Sequence, residues 1–294
     1  MPDALEALTR INLQDLVGAF GWSGVSTLAR AARVVFRGPA VAFARQMLQF
    51  DADTGERGLV EAARSAERLL ARDVRVYGAH HLPTRGFLAL SNHPGLTDTL
   101  ALFSALGRND LGVIAIDRPF LLSLANVSRQ LFYLPDSPQG RAGLVRQVSR
   151  HLNRGGAVLT FPAGRTEPDP AAYDGAVESL ADWIDSASVF VRLAPSVPVV
   201  PVCVRGVTWG TTAHHPIAGL RRAPGDQRLL ASALQLLWQF IVGRPPITIR
   251  IQIGAPIHAD GRRSGTVSAV QQELIRAMTG LIRNPPEGDG VTAL

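Results

Sequence analysis

Two hydrophobic periods alternate along most of the chain. Short apolar runs rich in β-branched residues read as strands: "VRVYG" at 74–78, "GFLALS" at 86–91, "LGVIAID" at 111–117, "AVLTFPA" at 157–163, "VPVVPVCVR" at 197–205 and "ITIRIQI" at 247–253. Between them the apolar positions recur three and four apart, which predicts helices over "TDTLALFSALG", "GRAGLVRQVSRHLNRGG", "AVESLADWIDSAS" and "LLASALQLLWQFIVG". Such alternation predicts an α/β domain, a central sheet flanked by helices, with the chemistry on loops at strand ends. The domain is placed at residues 73–283, after an N-terminal helical region at 1–72. The last eleven residues, "NPPEGDGVTAL" at 284–294, read as a loose tail.

Within the N-terminal region, "GERGLVEAARSAERLLAR" carries Leu59, Ala62, Ala63, Ala66, Leu69 and Leu70 on one helical face. The stretch before it differs. From Leu16 to Phe50 there is no acidic residue, yet it holds Arg30, Arg33, Arg37 and Arg45 among Phe20, Trp22, Leu28, Val34, Val35 and Phe36. Arg30, Arg33 and Arg37 recur at helical spacing, a pattern suited to a helix lying in a lipid interface. The uncharged stretches that also read as helical, 16–29 and 229–243, are shorter than the ~20 residues a bilayer span requires. Contact with one membrane face, peripheral or monotopic, is therefore expected rather than a spanning helix.

Composition narrows the picture. At 46% hydrophobic and 18% charged residues, with a slightly positive mean hydropathy of +0.12, the chain is not disordered. The net charge of +6 is carried by arginine, since there is no lysine. Arginine pairs bidentately with phosphate, so an anionic lipid, an acidic cosubstrate or a nucleic acid all fit the sign of the charge. A nucleic-acid binder is disfavoured because no basic stripe with interleaved aromatics is present. The single cysteine, Cys203, lies in an apolar strand and reads as a buried residue in a reducing, cytosolic setting. The adjacent His214 and His215 point apart and have no third ligand nearby in sequence, so no metal site is expected.

The stretch that carries chemistry is "SNHPGLTD" at 91–98. His93 follows directly after a strand, and Pro94-Gly95 turns the chain into a helix near Thr97. If that turn folds back, His93 and Asp98 meet. The imidazole is then a general base, with Asp98 fixing its tautomer through the other ring nitrogen. No G-x-S-x-G elbow or other nucleophile accompanies the pair, which suits it to deprotonating a substrate hydroxyl.

"NHPGLTD" resembles the N-H-x4-D block of the glycerolipid acyltransferases. Three more blocks follow in that family's order: "GVIAIDRPF" at 112–120 is similar to its G-x-I-x-I-x-R block, "FPAGRTE" at 161–167 to its F-P-E-G-T-R block, and "VPVVPVCVRG" at 197–206 to its V-P-I-V-P-V strand. The resemblance spans about 74–257. It implies a central mixed β-sheet flanked by helices and transfer of a fatty acyl group from an acyl-CoA or acyl-carrier-protein thioester, with no further cofactor. The acceptor implied is the hydroxyl of a glycerol phosphate or lysophospholipid, at the cytoplasmic face of a membrane. It implies His93 as base and Asp98 as its orienting partner. Asn92, Arg118, Phe161, Pro162, Gly164, Arg165 and Thr166 are implied as substrate-binding residues.

The third block departs from the family pattern. Ala163 stands where a glutamate is usual, and the Thr-Arg order is inverted to Arg165-Thr166. Glu167, four residues on, is not expected to replace the missing carboxylate. These departures motivate one alternative, a catalytically silent, membrane-associated lipid-binding protein of the same fold.

Overall fold

The computed structural model describes residues 2–243, 246–259 and 267–293. Four helices open the chain: α1 (Pro2–Ala19), α2 (Ser26–Val35), α3 (Arg37–Arg57) and α4 (Leu59–Leu70). The uncharged run at 16–29 is therefore not one helix. It breaks at Ala19, and Phe20 stacks on Trp22 with ring centroids 4.5 Å apart. Between α3 and α4 the chain passes through Gly58 at φ 86°, a conformation that favours glycine.

The remaining elements, in order, are β1 (Asp73–Tyr77), β2 (Leu88–Ser91), α5 (Leu96–Leu106), β3 (Gly112–Ala115), α6 (Pro119–Leu122), α7 (Ala125–Ser128), β4 (Leu131–Tyr133), α8 (Pro138–Asn153), β5 (Val158–Thr160), α9 (Ser186–Leu193), β6 (Val199–Arg205), α10 (Gly210–Ala213), α11 (Pro224–Ile241), β7 (Thr248–Ile253), α12 (Val267–Arg283) and β8 (Val291–Thr292). They form one eight-stranded mixed sheet in the order β4-β3-β5-β2-β6-β7-β1-β8. Strands β4, β3, β5, β2 and β6 run parallel, β7 is antiparallel to β6, and β1 is parallel to β7. The expected fold class is thus the observed one.

Side chains of the central strands alternate between two apolar layers, as the period of two requires. Ala89, Leu159, Val200, Val202 and Val204 join α3, α4 and α5 on one face. Leu88, Leu90, Val158 and Cys203 meet α8, α9 and α12 on the other. All seven residues of β6 are buried, which explains its unbroken apolar run. Each fully buried aliphatic side chain contributes about 1.5–3 kcal/mol, so this double layer gives the strand ends a rigid base. Burial also pushes the Cys203 thiol up to about 11, consistent with an unreactive core residue.

Two sequence expectations are corrected here. The segment 176–188 is not one helix: a 3-10 turn at Glu178–Asp182 is followed by α9, whose N-cap Asp185 accepts from the Ser188 N–H at 3.1 Å. The tail at 284–294 is not loose over its described part. Val291 and Thr292 pair antiparallel with Val76 and Arg75, and Tyr77 Oη donates to the Gly288 carbonyl at 3.1 Å. Two residues are too few to read as a strand; the open edge of β1 supplies the pairing. Leu294 lies outside the described residues. The helices of the N-terminal region pack on the sheet, with Leu8, Phe43, Met47 and Phe50 buried in the same apolar layer.

Candidate active site

Strands β3, β5, β2 and β6 are parallel, so their C-terminal ends lie along one edge, the place where open α/β sheets gather functional loops. Ser91 ends β2, and two residues later His93 enters the turn that opens α5. Gly95 in this turn has no room for a side chain to spare: a Cβ there would lie 3.2 Å from Val207 Cγ1. Asp98 sits in the first helical turn, where the dipole favours a carboxylate.

The turn folds back. His93 Nδ1 and Asp98 Oδ2 are 2.8 Å apart, and the same oxygen accepts the Gly95 N–H at 3.0 Å. Thr99 Oγ1 donates to Oδ1 at 2.9 Å. Asp98 is completely buried while 29% of the His93 side chain remains exposed, so the pair has a sealed end and an open end. Phe161 packs on the imidazole with ring centroids 4.6 Å apart. Burial lowers the imidazole's proton affinity. The Asp98 charge and hydrogen bond, with the Glu167 charge, more than offset that, and Arg118 pulls the other way. The net result lies above the usual histidine value.

The structure brings the expected residues to one region but divides their tasks. Asn92, expected to bind substrate, locks the turn to β6: its side-chain amide donates to the Val204 carbonyl and accepts the Val204 N–H, both at 2.8 Å. Arg118 is exposed at the N-terminus of α6, just beyond β3. The third block follows β5. Pro162 is buried, Gly164 turns the chain at φ 62°, and Arg165 and Thr166 are exposed. Arg165 forms an ion pair with Asp182, and a cleft of about 260 Å³ opens there, lined by Arg165, Thr166, Glu167, Ser179, Asp182 and Arg228.

Sequence reasoning missed Arg228, which comes from α11 and has no motif to announce it. It also set aside Glu167. That residue is only 2% exposed, and its Oε2 accepts the His93 N–H at 3.0 Å. Asp169 was likewise unremarked. Fully buried, it accepts the N–H groups of Ala171, Gly206 and Thr208 at 2.8–2.9 Å, tying the third block to the end of β6. The acid-rich run "TEPDP" was the available signal, but nothing local says which carboxylate turns inward.

Residues 73–205 match the family model described as Acyltransferase. Over that span the chain is similar to the acyltransferase family. The matched span runs from β1 to the end of β6, so the similarity includes the His93 turn, Arg118 and the third block. Among solved structures, the 1-acyl-sn-glycerophosphate (LPA) acyltransferase PlsC of Thermotoga maritima is similar over 93% of this chain and 98% of its own, at 18% identity and a TM-score of 0.44. The comparison with curated proteins returns no match.

Proposed function

We propose that this acyltransferase moves a fatty acyl group from an acyl-CoA or acyl-carrier-protein thioester to the hydroxyl of a glycerol phosphate or lysophospholipid. The observation that carries the reading is the 2.8 Å contact between the sealed Asp98 carboxylate and the partly open His93 ring. With Nδ1 occupied by Asp98, Nε2 is the nitrogen left to take a proton. The acceptor hydroxyl gives its proton to Nε2 as its oxygen attacks the thioester carbonyl carbon. The tetrahedral intermediate then expels the thiolate, which recovers the proton from the imidazolium. Asp98 stays ionised throughout and stabilises that cation. No covalent acyl-enzyme forms, and the rate comes from proximity plus proton removal.

Arg118, whose charge acts on this base, and Arg165, in the cleft next to Glu167, suit the phosphate of such an acceptor through charge-assisted hydrogen bonds. A membrane-facing acceptor also fits α2. It buries only Ala29 and Ala32, and it leaves Leu28 46%, Val34 75% and Val35 67% exposed beside the exposed Arg30 and Arg33. Among the described residues no helix is long and apolar enough to cross a membrane.

The test is thiol release from acyl-CoA with a panel of phosphorylated and lysolipid acceptors, using wild type and His93→Ala. Acceptor-dependent release lost in His93→Ala supports the reading. Equal release in both proteins for every acceptor ends it, and release from neither favours a silent lipid-binding protein.

A further inference from the structure

We propose that Glu167 positions His93 for proton transfer, supplying from position 167 the carboxylate that the third block lacks at 163. The inference rests on the acyl-transfer reading above. Its basis is a two-point clamp. The Glu167 N–H donates to the His93 carbonyl at 2.8 Å, and the His93 N–H donates back to Glu167 Oε2 at 3.0 Å. The peptide groups flanking His93 are thus held from the main chain and the side chain of one residue.

The other carboxylate oxygen is anchored independently. Oε1 accepts Trp183 Nε1–H at 2.8 Å and Ser179 Oγ–H at 3.3 Å, both from the segment around the 3-10 turn. Trp183 is itself buried against α8, α9 and the far face of the sheet. A chain of contacts therefore runs from the second apolar layer through Trp183 and Glu167 to His93. The displacement of four residues is accommodated by the turn at Gly164, whose N–H reaches back to the Phe161 carbonyl at 3.0 Å. Ala163, meanwhile, packs against the apolar layer. A glutamate there would bring a carboxylate to that layer, whereas the Glu167 carboxylate turns to the His93 N–H.

Glu167 also belongs to the electrostatics of the base. The charged groups that act on His93 are Asp98 from α5, Glu167 from the third block and Arg118 beyond β3. Those around Glu167 include Arg165, Glu178, Asp182 and Arg228 of the cleft. Burial raises the Glu167 carboxyl above the ordinary range, while the donors from Trp183, His93 and Ser179 and the nearby imidazole pull it back. Both oxygens face N–H donors, an arrangement that suits the ionised form.

The experiment compares Glu167→Gln and Glu167→Asp with wild type, with His93→Ala as control. Two readouts are needed: steady-state thiol release, and titration of the His93 imidazole by NMR, assigned through His93→Ala. In Glu167→Gln the amide must turn its NH2 toward either the His93 N–H or the Trp183 N–H, so one bond is lost. The expected result is a fall in kcat of about 10–100-fold, the range seen when an orienting partner is removed, with KM little changed. The His93 titration moves to lower pH because a negative neighbour is gone. Glu167→Asp keeps the charge and shortens the arm, so the rate falls while the titration stays near wild type. A wild-type rate and titration in Glu167→Gln, or a rise in KM alone, overturns the proposal. If Glu167→Gln does not fold, the aspartate variant decides, and an unchanged rate there overturns it. Activity surviving in His93→Ala would strike the acyl-transfer reading, whereas an inactive His93→Ala beside an unmoved Glu167→Gln would strike this inference alone.

Discussion

On the His93 side of the site the protein satisfies its own polar groups. Asp98 is fully buried with three donors, and Asn92 and Glu167 are engaged with neighbouring backbone. On the arginine side the surface is open: 61% of the Arg165 side chain is exposed, its ion pair with Asp182 is solvent-facing, and Arg118 is exposed at the N-terminus of α6. Exposed pairs of this kind are worth about 0–1 kcal/mol and yield readily to a better partner. On the proposed reading, the proton-handling geometry is preformed, whereas the anion-binding geometry is left for the substrate to complete. Preformed groups avoid reorganisation during a reaction, and long exposed arginine side chains can adjust to acceptors of different shape.

This contrast is sharpest in the dyad, where the largest effect is expected. Asp98→Asn removes the charge that orients and supports the imidazole, and kcat should fall by about 10²–10⁴-fold, the usual worth of a general base. In the same variant the acid limb of the rate profile should move to lower pH, because Asp98 holds the His93 proton affinity up. Wild-type activity itself should drop as pH falls through that raised value, since only the neutral ring accepts a proton. A rate–pH profile with an unmoved limb would break the dyad assignment.

The open side should respond differently. Arg118→Ala is expected to raise KM for a phosphorylated acceptor about tenfold, in line with losing one hydrogen bond to a charged group, and to leave an acceptor without phosphate unaffected. Arg165→Ala should act in the same direction but more weakly, because Asp182 already competes for its guanidinium. If either change lowered kcat equally for both acceptors, the division between the two sides would fail. Smaller still is the effect expected outside the site. Replacing Val34 and Val35 by Ser should weaken co-sedimentation with anionic vesicles about tenfold, as loss of partly buried apolar side chains predicts, with the melting temperature unchanged. Undiminished sedimentation would remove α2 from the membrane contact.

The last prediction concerns a carboxyl beneath the preformed side. Glu67, 1% exposed between α4 and α5, lies 2.7 Å from Ser104 Oγ, and burial pushes it up to about 8 despite that hydrogen bond and Arg64 and Arg68 nearby. In its neutral form it can donate to Ser104, whose hydroxyl is 3.0 Å from the Ala101 carbonyl and donates onward. A folded value above the unfolded one stabilises the fold fully below the unfolded value, and that contribution is lost as pH rises through the folded value. The fold should therefore lose stability between about pH 4.5 and 8 from this group. Glu67→Gln should flatten that part of a denaturation-versus-pH curve, and an unchanged slope would show that Glu67 titrates normally.

Much of this was legible before any coordinates. Strand and helix alternation from residue 73 follows from local periodicity, because a strand buried on both faces must be apolar throughout and a packed helix must be apolar on one. His93 and Asp98 were legible because they sit five residues apart across one turn. Glu67 was not, since a glutamate on an amphipathic helix reads as a surface residue until a neighbouring helix covers it.

By itself the sequence determined the central strands and most of the helices that flank them, and that a histidine and an aspartate share one strand-to-helix turn, for both depend on interactions within a few residues. Tertiary structure alone decided that Val291 and Thr292 close the edge of β1, that Arg228 joins the cleft, and that Glu167 rather than residue 163 holds His93. Those pairings link residues far apart in the chain, 74 positions for Glu167 with His93 and 211 for Tyr77 with Gly288, or depend on how a turn aims a side chain. Free energies of that kind are set by packing of the whole sheet, and no local pattern records them.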